Sequence, residues 1–129
     1  MKQHEQALLF LRKAAEDEAL LAEVVSVARI SNEIFGFHAQ QAAEKLLKSL
    51  LSEFDVHFPR THNIRLLMDL LADAGHPMPS SLADLDLLTA YGTLFRYEDL
   101  PVETPLDREA ALALVRELRS FVEKKINGR

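Results

Sequence analysis

The sequence predicts an all-α fold, an up-and-down antiparallel bundle of about five helices. Apolar residues recur at three- and four-residue spacings along most of the chain, the period of an amphipathic helix. No segment shows the sustained apolar–polar alternation or the Asn-Gly turn that indicates a β-hairpin. The four glycines and five prolines cluster at the expected helix boundaries. The length of 129 residues suits a single domain spanning 1–129.

The first two helices are predicted over about 3–29 and 32–53, with Ser31 as the N-cap of the second. Each carries one stripe that is expected to face the core. The stripe of the first helix consists of Leu8, Leu11, Ala15, Ala19, Ala22 and Val25. The stripe of the second helix consists of Phe35, Ala39, Ala42, Leu46, Leu50 and Phe54.

Three further helices follow after short loops, which favours antiparallel neighbours. The third is predicted over about 62–74, capped by Thr61 and ended by Gly75. The fourth is predicted over about 82–97, after a cap-like Ser81, and carries Leu85, Leu88, Tyr91 and Phe95. The fifth is predicted over about 105–126, with Thr104 as cap and Pro105 as first residue. Its apolar residues are Ala111, Leu114, Leu118, Phe121 and Val122.

Composition limits the class of protein. Hydrophobic residues make up 48% of the chain and charged residues 27%, which is normal for a globular domain. The absence of cysteine excludes disulfides and zinc–thiolate sites and fits a reducing compartment. No stretch approaches the roughly 18 apolar residues of a membrane span, so we expect no membrane association and a cytoplasmic location. The net charge of −5 argues against broad non-specific nucleic-acid binding, although it leaves room for a local basic site.

A polar stripe in the second helix is the most informative feature of the sequence. His38, Gln41, Lys45 and Lys48 fall at spacings of three, four and three, and therefore share one face. Glu44 lies beside them. One interpretation is a plain solvent face. The other is a groove or an interface in which glutamine and lysine hold a phosphate or the carboxylate of a partner.

Two other groups of residues are candidates for binding. His57, Arg60, His62 and Arg65 place four potentially cationic side chains around the start of the third helix, whose free amides favour anions. The alternative is that they are ordinary solvated residues. Arg96 and Tyr97 end the fourth helix, where an arginine suits the helix dipole in any protein.

Several chemical signatures are missing. The chain has no glycine-rich phosphate loop, no His-Glu-x-x-His and no Gly-x-Ser-x-Gly. Its five histidines include no pair at positions i and i+4. We therefore expect neither a metal site nor a cofactor.

Three segments of the chain resemble the signature motifs of a known family. Residues 37–48, Phe-His-Ala-Gln-Gln-Ala-Ala-Glu-Lys-Leu-Leu-Lys, resemble the helix-two signature of the HEPN domain family. Residues 59–64, Pro-Arg-Thr-His-Asn-Ile, resemble its Pro-x-Thr-His-(Asp/Asn)-Leu helix start. Residues 88–91, Leu-Thr-Ala-Tyr, followed by Arg96 and Tyr97, are similar to its Leu-Thr-x-Tyr…Arg-Tyr segment. The segments follow the order of the family, and the resemblance covers essentially the whole chain.

The resemblance implies a helical bundle that forms a homodimer. It also implies a minimal nucleotidyltransferase as protein partner, in a toxin–antitoxin-like pair. A further implication is the binding of a nucleotide or an RNA phosphate, for which Lys45, His62, Arg96 and Tyr97 are the candidates. This binding module is the first hypothesis.

Some HEPN proteins are metal-independent ribonucleases that use an arginine and a histidine about five to seven positions later. In this chain Arg96 is followed at 101–103 by Pro-Val-Glu, and no histidine stands at that spacing. The usual general acid–base is therefore missing, which argues against an enzyme. The second hypothesis is a divergent ribonuclease with Arg96 and His62 as its catalytic residues. The third is a structural interaction protein in which Gln41 and Glu44 bind Arg96 or His62.

Overall fold

A computed structural model of the chain describes residues 2–92 and 105–128. The helices in these ranges are α1 (Lys2–Val24), α2 (Asn32–Glu53), α3 (Ile64–Asp73), a 3₁₀ helix (Ser80–Tyr91) and α4 (Arg108–Asn127). The described ranges contain no β-strand, and the predicted all-α helical bundle is confirmed. None of the described helices is long and apolar enough to cross a membrane.

The central element is α2, which contacts every other helix of the described part of the chain. Its bounds are those predicted, and the side chain of Ser31 caps it by accepting the amide hydrogen of Ile34 at 3.1 Å. The predicted core stripe is confirmed, with Phe54 only partly buried. Thirteen of its 22 residues are buried, so polar side chains on this helix are drawn into the interior as well.

The prediction for α1 was wrong in two respects. The helix ends at Val24 rather than near Arg29. Its buried residues are Ala7, Ala14 and Leu21, whereas most of the predicted stripe is exposed. The exposed members are Leu8, Ala15, Ala19 and Ala22. Because small and apolar residues occur around much of this helix, the spacing alone did not single out the face that packs on α2.

Arg108 explains where α1 ends. Its guanidinium donates to the carbonyls of Val24 at 3.3 Å, Val27 at 3.1 Å and Ile30, and to the side chain of Asn32 at 2.7 Å. The last carbonyls of a helix lack partners within the helix, and a cationic donor is well suited to them. One side chain from α4 therefore fixes the turn between α1 and α2.

The start of α3 lies two residues later than predicted. Asn63 caps it by accepting the amide hydrogen of Leu66 at 3.1 Å, while Thr61 accepts that of Asn63 at 3.0 Å. The predicted cap at Thr61 was therefore wrong. The predicted stop at Gly75 is confirmed: this residue has a φ of 90°, which a side chain would strain.

The predicted fourth α-helix is a 3₁₀ helix in the described residues. Leu82, Leu85, Leu88 and Tyr91 are all buried. Their constant spacing of three residues aligns them on one face only when there are three residues per turn. The predicted cap at Ser81 was also wrong, because Pro79 precedes the helix and Ser81 donates to Glu117 instead. The predicted continuation through Phe95 to 97 and the loop after it lie outside the described residues.

The fifth predicted helix corresponds to α4 and begins three residues later than expected. Asp107 caps it by accepting the amide hydrogen of Ala110 at 3.0 Å, so Pro105 precedes the helix. The predicted cap Thr104 lies outside the described residues. The buried residues of α4 are Ala111, Leu112, Val115, Leu118, Val122 and Ile126. Leu114 and Phe121 pack against the core but are only partly buried.

Candidate functional site

The described residues of the three motif segments named above meet at the middle of α2. Glu44 of α2 contacts His62 of the loop before α3, and Gln40 of α2 lies against Gly92 at the end of the 3₁₀ helix. Thr89 of the 3₁₀ helix accepts the first amide hydrogen of α3, from Ile64, at 3.1 Å. Segments far apart in sequence thus form one polar network on the central helix.

Glu44 is the centre of this network. Its Oε1 accepts hydrogen bonds from Gln40 Nε2 at 2.9 Å and from His62 Nδ1 at 2.9 Å. Its Oε2 accepts a hydrogen bond from Lys48 Nζ at 2.7 Å, and the Glu44 side chain is only 8% exposed. A carboxylate this far out of water requires such donors, since an unpaired buried charge is costly.

The surroundings of Glu44 favour its charged form. Burial by itself raises the pKa of this carboxyl, but the hydrogen bonds from Lys48, His62 and Gln40, with the positive charge of Lys48, outweigh it. The pKa of Glu44 is therefore lowered from its ordinary value of 4.5. Glu44 is a carboxylate at neutral pH and acts as an acceptor only.

The carboxylate of Glu44 determines how the His62 ring is oriented. An acceptor at Nδ1 requires the proton on that nitrogen, which leaves Nε2 as the nitrogen that can accept or exchange a proton. Among the described residues, only Nδ1 has a hydrogen-bond partner. The His62 side chain is 57% exposed, so Nε2 is reachable from solvent. The imidazole ring is therefore held in place by Nδ1, and Nε2 is the nitrogen left open to solvent.

Gln40 links the network to the end of the 3₁₀ helix. Its Nε2 also donates to the His62 carbonyl at 3.0 Å, and the residue is fully buried. Its Oε1 has no hydrogen-bond partner among the described residues. A Cβ on Gly92 would lie 3.3 Å from the Gln40 amide, tighter than most contacts, so glycine suits this close approach. The Gln40 carbonyl oxygen is therefore a buried acceptor without a donor among the described residues.

The same end of the bundle contains a second close approach. A Cβ on Gly36 would lie 2.4 Å from the ring of Tyr91, so the ring packs directly on the backbone of α2. The Tyr91 hydroxyl donates to the Pro105 carbonyl at 3.4 Å, and burial raises the pKa of this hydroxyl. Tyr91 therefore anchors the 3₁₀ helix to α2 as a neutral phenol.

Part of the predicted stripe of α2 contacts α1, and all four of its residues are only partly exposed. His38 Nδ1 lies 3.1 Å from Asp17 Oδ1 on α1, and Lys45 donates to Asp17 Oδ2 at 2.6 Å. Lys48 belongs to the Glu44 network and is only 12% exposed. Gln41 is half-buried, and its Oε1 has no partner among the described residues. The cationic residues of the stripe thus contact two different acids: His38 and Lys45 contact Asp17 on α1, and Lys48 contacts Glu44 on α2.

The cationic residues around the start of α3 are not brought together. Arg65 pairs with Asp86 at 3.3 Å and with Asp69 at 3.7 Å. His57 lines a separate cavity of about 440 Å³ near the beginning of α1. Arg60 is exposed and follows Pro59 in the loop that carries His62. Arg60 and His62 are both exposed and lie in the same loop, whereas His57, also exposed, lies at the separate cavity.

The amides at the start of α3 are mostly used within the protein. Those of Ile64 and Leu66 bind Thr89 and Asn63, so an anion would depend on side chains more than on the helix terminus. Arg96 and Tyr97, the remaining candidate residues, lie outside the described residues. In residues 2–92 and 105–128, no group of three or more histidines or acidic residues could hold a metal ion.

Sequence reasoning missed the residue that joins the network, Gln40. Gln40, Glu44 and Lys48 are spaced four residues apart, the spacing at which side chains on a helix touch. This regular spacing is visible in the sequence, next to the polar stripe of His38, Gln41, Lys45 and Lys48. Asp17 and Arg108 were missed because their partners lie on other helices, and no local pattern indicates them. Thr89 was noted only as part of the 88–91 motif, without its contact to α3.

Comparison with protein families agrees with this geometry. A family model described as HEPN domain matches residues 7–125, nearly the whole chain. The match spans α2, the loop with His62, the 3₁₀ helix and almost all of α4. No curated protein and no solved structure matches the chain at a significant level. Since the family match covers far more than half of the sequence, this chain belongs to the HEPN domain family.

Proposed function

We propose that this HEPN protein is a binding module that forms a homodimer and partners a minimal nucleotidyltransferase, in a toxin–antitoxin-like pair. It contacts the phosphate of a nucleotide or an RNA at the loop before α3. The partners are proposed from membership of the family. The observation that carries the phosphate contact is the exposed His62 ring, fixed by buried Glu44 at 2.9 Å, two residues after exposed Arg60.

The geometry supports recognition of phosphate in two ways. A histidine held by a carboxylate is oriented before the ligand arrives, which lowers the entropic cost of binding. An arginine with a planar guanidinium can bind two phosphate oxygens at once. The proposed site is small, which agrees with the net charge of −5.

The phosphate site is tested by the affinity of the purified protein for a fluorescent single-stranded RNA and for ATP. Arg60→Ala and His62→Ala are expected to weaken binding at least five-fold, and binding is expected to weaken with salt. Arg65→Ala is the matched control because Arg65 already pairs with Asp86. Equal loss in all three variants, or none in the first two, contradicts the phosphate site.

The partner is tested separately by co-expression with a minimal nucleotidyltransferase from a neighbouring reading frame. Co-elution of the two proteins in size-exclusion chromatography is expected. Separate elution of well-folded proteins counts against the pairing, whatever the result with RNA.

A second candidate function is metal-independent RNA cleavage, and the Glu44–His62 geometry favours it. His62 Nε2 would accept the proton of a ribose 2′-hydroxyl while that oxygen attacks phosphorus and the 5′-oxygen leaves with a proton from water. The products would be a 2′,3′-cyclic phosphate and a 5′-hydroxyl. Glu44 would hold the ring in the required orientation and tautomer, as the buried acid does in a catalytic triad.

Cleavage of a labelled RNA in excess EDTA separates this candidate from simple binding. If the protein is an enzyme, His62→Ala abolishes cleavage, and Glu44→Gln reduces it without a matching loss of RNA affinity. If wild-type protein at micromolar concentration leaves the RNA intact, the ribonuclease candidate is rejected and the binding module stands.

A further inference from the structure

An exposed groove between α1 and α4 is a second notable surface. It has a volume of about 520 Å³ and is lined by Ala22, Val25, Glu109, Leu112, Ala113 and Arg116. Its floor is apolar, with buried Leu112 and half-buried Val25. Glu109 and Arg116 lie on the exposed side of α4. The groove is far from the network at Glu44 in sequence and shares no residue with it.

The exposed face of α1 extends this groove. The unexpectedly exposed residues Leu8, Ala15, Ala19 and Ala22 share one side of α1 and lead into the groove at Ala22. They run from residue 8 to residue 22, a rise of about 21 Å at 1.5 Å per residue. The helix thus carries two apolar faces, and intramolecular packing covers only the one that contains Ala7, Ala14 and Leu21. Exposed apolar residues that recur along one side of a helix are typical of a surface that another helix covers, and Arg12 is the charged residue among them.

The four groove residues of α4 form a self-complementary pattern. Glu109, Leu112, Ala113 and Arg116 lie on one face of the helix, at spacings of three, one and three. If a second α4 crosses antiparallel about a two-fold axis between Leu112 and Ala113, each Glu109 meets an Arg116 of the other copy. Leu112 then meets Ala113. Such reciprocity, in which residue i contacts j and j contacts i, is what a two-fold interface requires.

The charges of the two rim residues are available for this pairing. Arg116 is 52% exposed and lies 3.6 Å from Glu18, but Arg119 already holds both oxygens of Glu18 at 2.6 and 3.2 Å. Glu109 is exposed and has no partner among the described residues. In the absence of a second chain, the groove therefore has an acid at one end and a base at the other, both incompletely paired.

We infer that this groove is the site at which a second copy of the chain docks, through two-fold antiparallel packing of α4 against α4. Ala113, close to the axis, allows the backbones to approach, and the small residues of α1 provide area beside it. A standard interface buries roughly 800 Å² per partner, more than four α4 residues supply. The α1 face is therefore part of the contact. The inference rests on the proposed function only in assuming a homodimer, and it makes no use of the phosphate site.

Charge reversal tests the pairing, with the dimer dissociation constant measured by analytical ultracentrifugation. Because each contact occurs twice per dimer, Glu109→Arg or Arg116→Glu alone is expected to raise that constant at least ten-fold. The double variant, which restores opposite charges, is expected to return to within about three-fold of the wild type. Lys13→Glu, on another side of α1, is the matched control and leaves dimerisation unchanged.

Cross-linking gives a second readout that does not depend on charge. The chain has no cysteine, so Ala113→Cys introduces a single thiol next to the proposed axis. Mild oxidation is expected to give a disulfide-linked dimer, as two cysteines near a two-fold axis come within bonding reach. The control is Ala83→Cys, exposed on the 3₁₀ helix, which is expected to remain monomeric under the same conditions.

Two results overturn the inference. One is a wild-type chain that stays monomeric at 100 μM or about that concentration, which would leave the groove to another protein. The other is a dimer that tolerates the single reversals as well as the double one and does not cross-link at Ala113→Cys. Neither result affects RNA affinity at Arg60 and His62, so failure of the interface and failure of the phosphate site are distinguishable.

Discussion

Glu44 shows what the fold demands of a single residue. The central helix takes its carboxylate out of water, and Gln40, Lys48 and His62 then supply donors. A buried charge is tolerated only with such partners, so these four side chains are coupled in stability as well as position. The orientation of the exposed His62 nitrogen therefore depends on Glu44, which is buried and out of reach of a ligand in solvent. Glu44 is therefore a positioning residue for whatever His62 binds.

The lowered pKa of Glu44 predicts a pH-dependent contribution to stability. A carboxyl whose folded pKa is below its unfolded pKa stabilises the protein above the unfolded value, and this contribution is lost as pH falls through the folded value. Glu44→Gln is expected to lower the free energy of unfolding by about 2 kcal/mol at pH 7. The difference from wild type is expected to shrink below pH 4.5, the ordinary value for this group. Urea denaturation at several pH values measures it.

Exposed Glu16→Gln serves as the control in this series and is expected to change stability by less than about 0.5 kcal/mol. A constant difference between Glu44→Gln and wild type from neutral to acidic pH would contradict the assignment. It would mean that the stability lost in Glu44→Gln does not depend on the ionised form of the Glu44 carboxyl.

Individual helices differed in how closely their sequence predicted them. The bounds of α2 were predicted because Ser31 is a side-chain cap and the apolar stripe is continuous. The sequence predicted an α-helix where the structure has the 3₁₀ helix, because Leu85, Leu88 and Tyr91 also fit one face of an α-helix. Their constant spacing of three residues nevertheless favours three residues per turn. The end of α1 could not be predicted, since it depends on Arg108, about 80 residues away.

The contacts of Arg108 at the end of α1 predict that a substitution of this residue lowers stability. Arg108→Lys keeps the charge but replaces a planar fork by one ammonium, which cannot reach the carbonyls of Val24, Val27 and Ile30 together. We expect a loss of about 2 kcal/mol in the free energy of unfolding, seen as a lower melting temperature by circular dichroism. Arg29→Lys, exposed in the same turn, is the matched control. A melting temperature equal to that of wild type would show that the turn holds without this fork.

At the scale of the whole bundle, ion pairs connect α1 to two neighbouring helices, α2 and α4. Asp17 binds His38 and Lys45 on α2, and Glu18, the next residue, binds Arg119 on α4. The two adjacent acids point to different helices because successive residues are turned by about 100° around the axis. The ion pairs of α1 with α2 and with α4, here called the two seams, favour the orientation in which this face of α1 turns inward.

These seams predict additive effects. Asp17→Asn and Glu18→Gln each remove one inter-helix ion pair, and each is expected to cost about 1 kcal/mol. Because the two acids share no partner, the double variant is expected to equal the sum within about 0.5 kcal/mol. Chemical denaturation of the four proteins gives the coupling energy. A larger coupling would mean that the helix shifts as a rigid body when either seam is lost.

The sequence by itself determined the helical class, the bounds of α2, the stop at Gly75 and the motif residues that indicate the HEPN family. Those features depend on local periodicity, capping and turn chemistry, which neighbouring residues decide. Tertiary structure decided the buried face of α1, the role of Gln40 at Glu44, and the exposure of one His62 nitrogen. These depend on which helices meet, and a chain rich in small apolar residues leaves that choice to long-range packing and ion pairs.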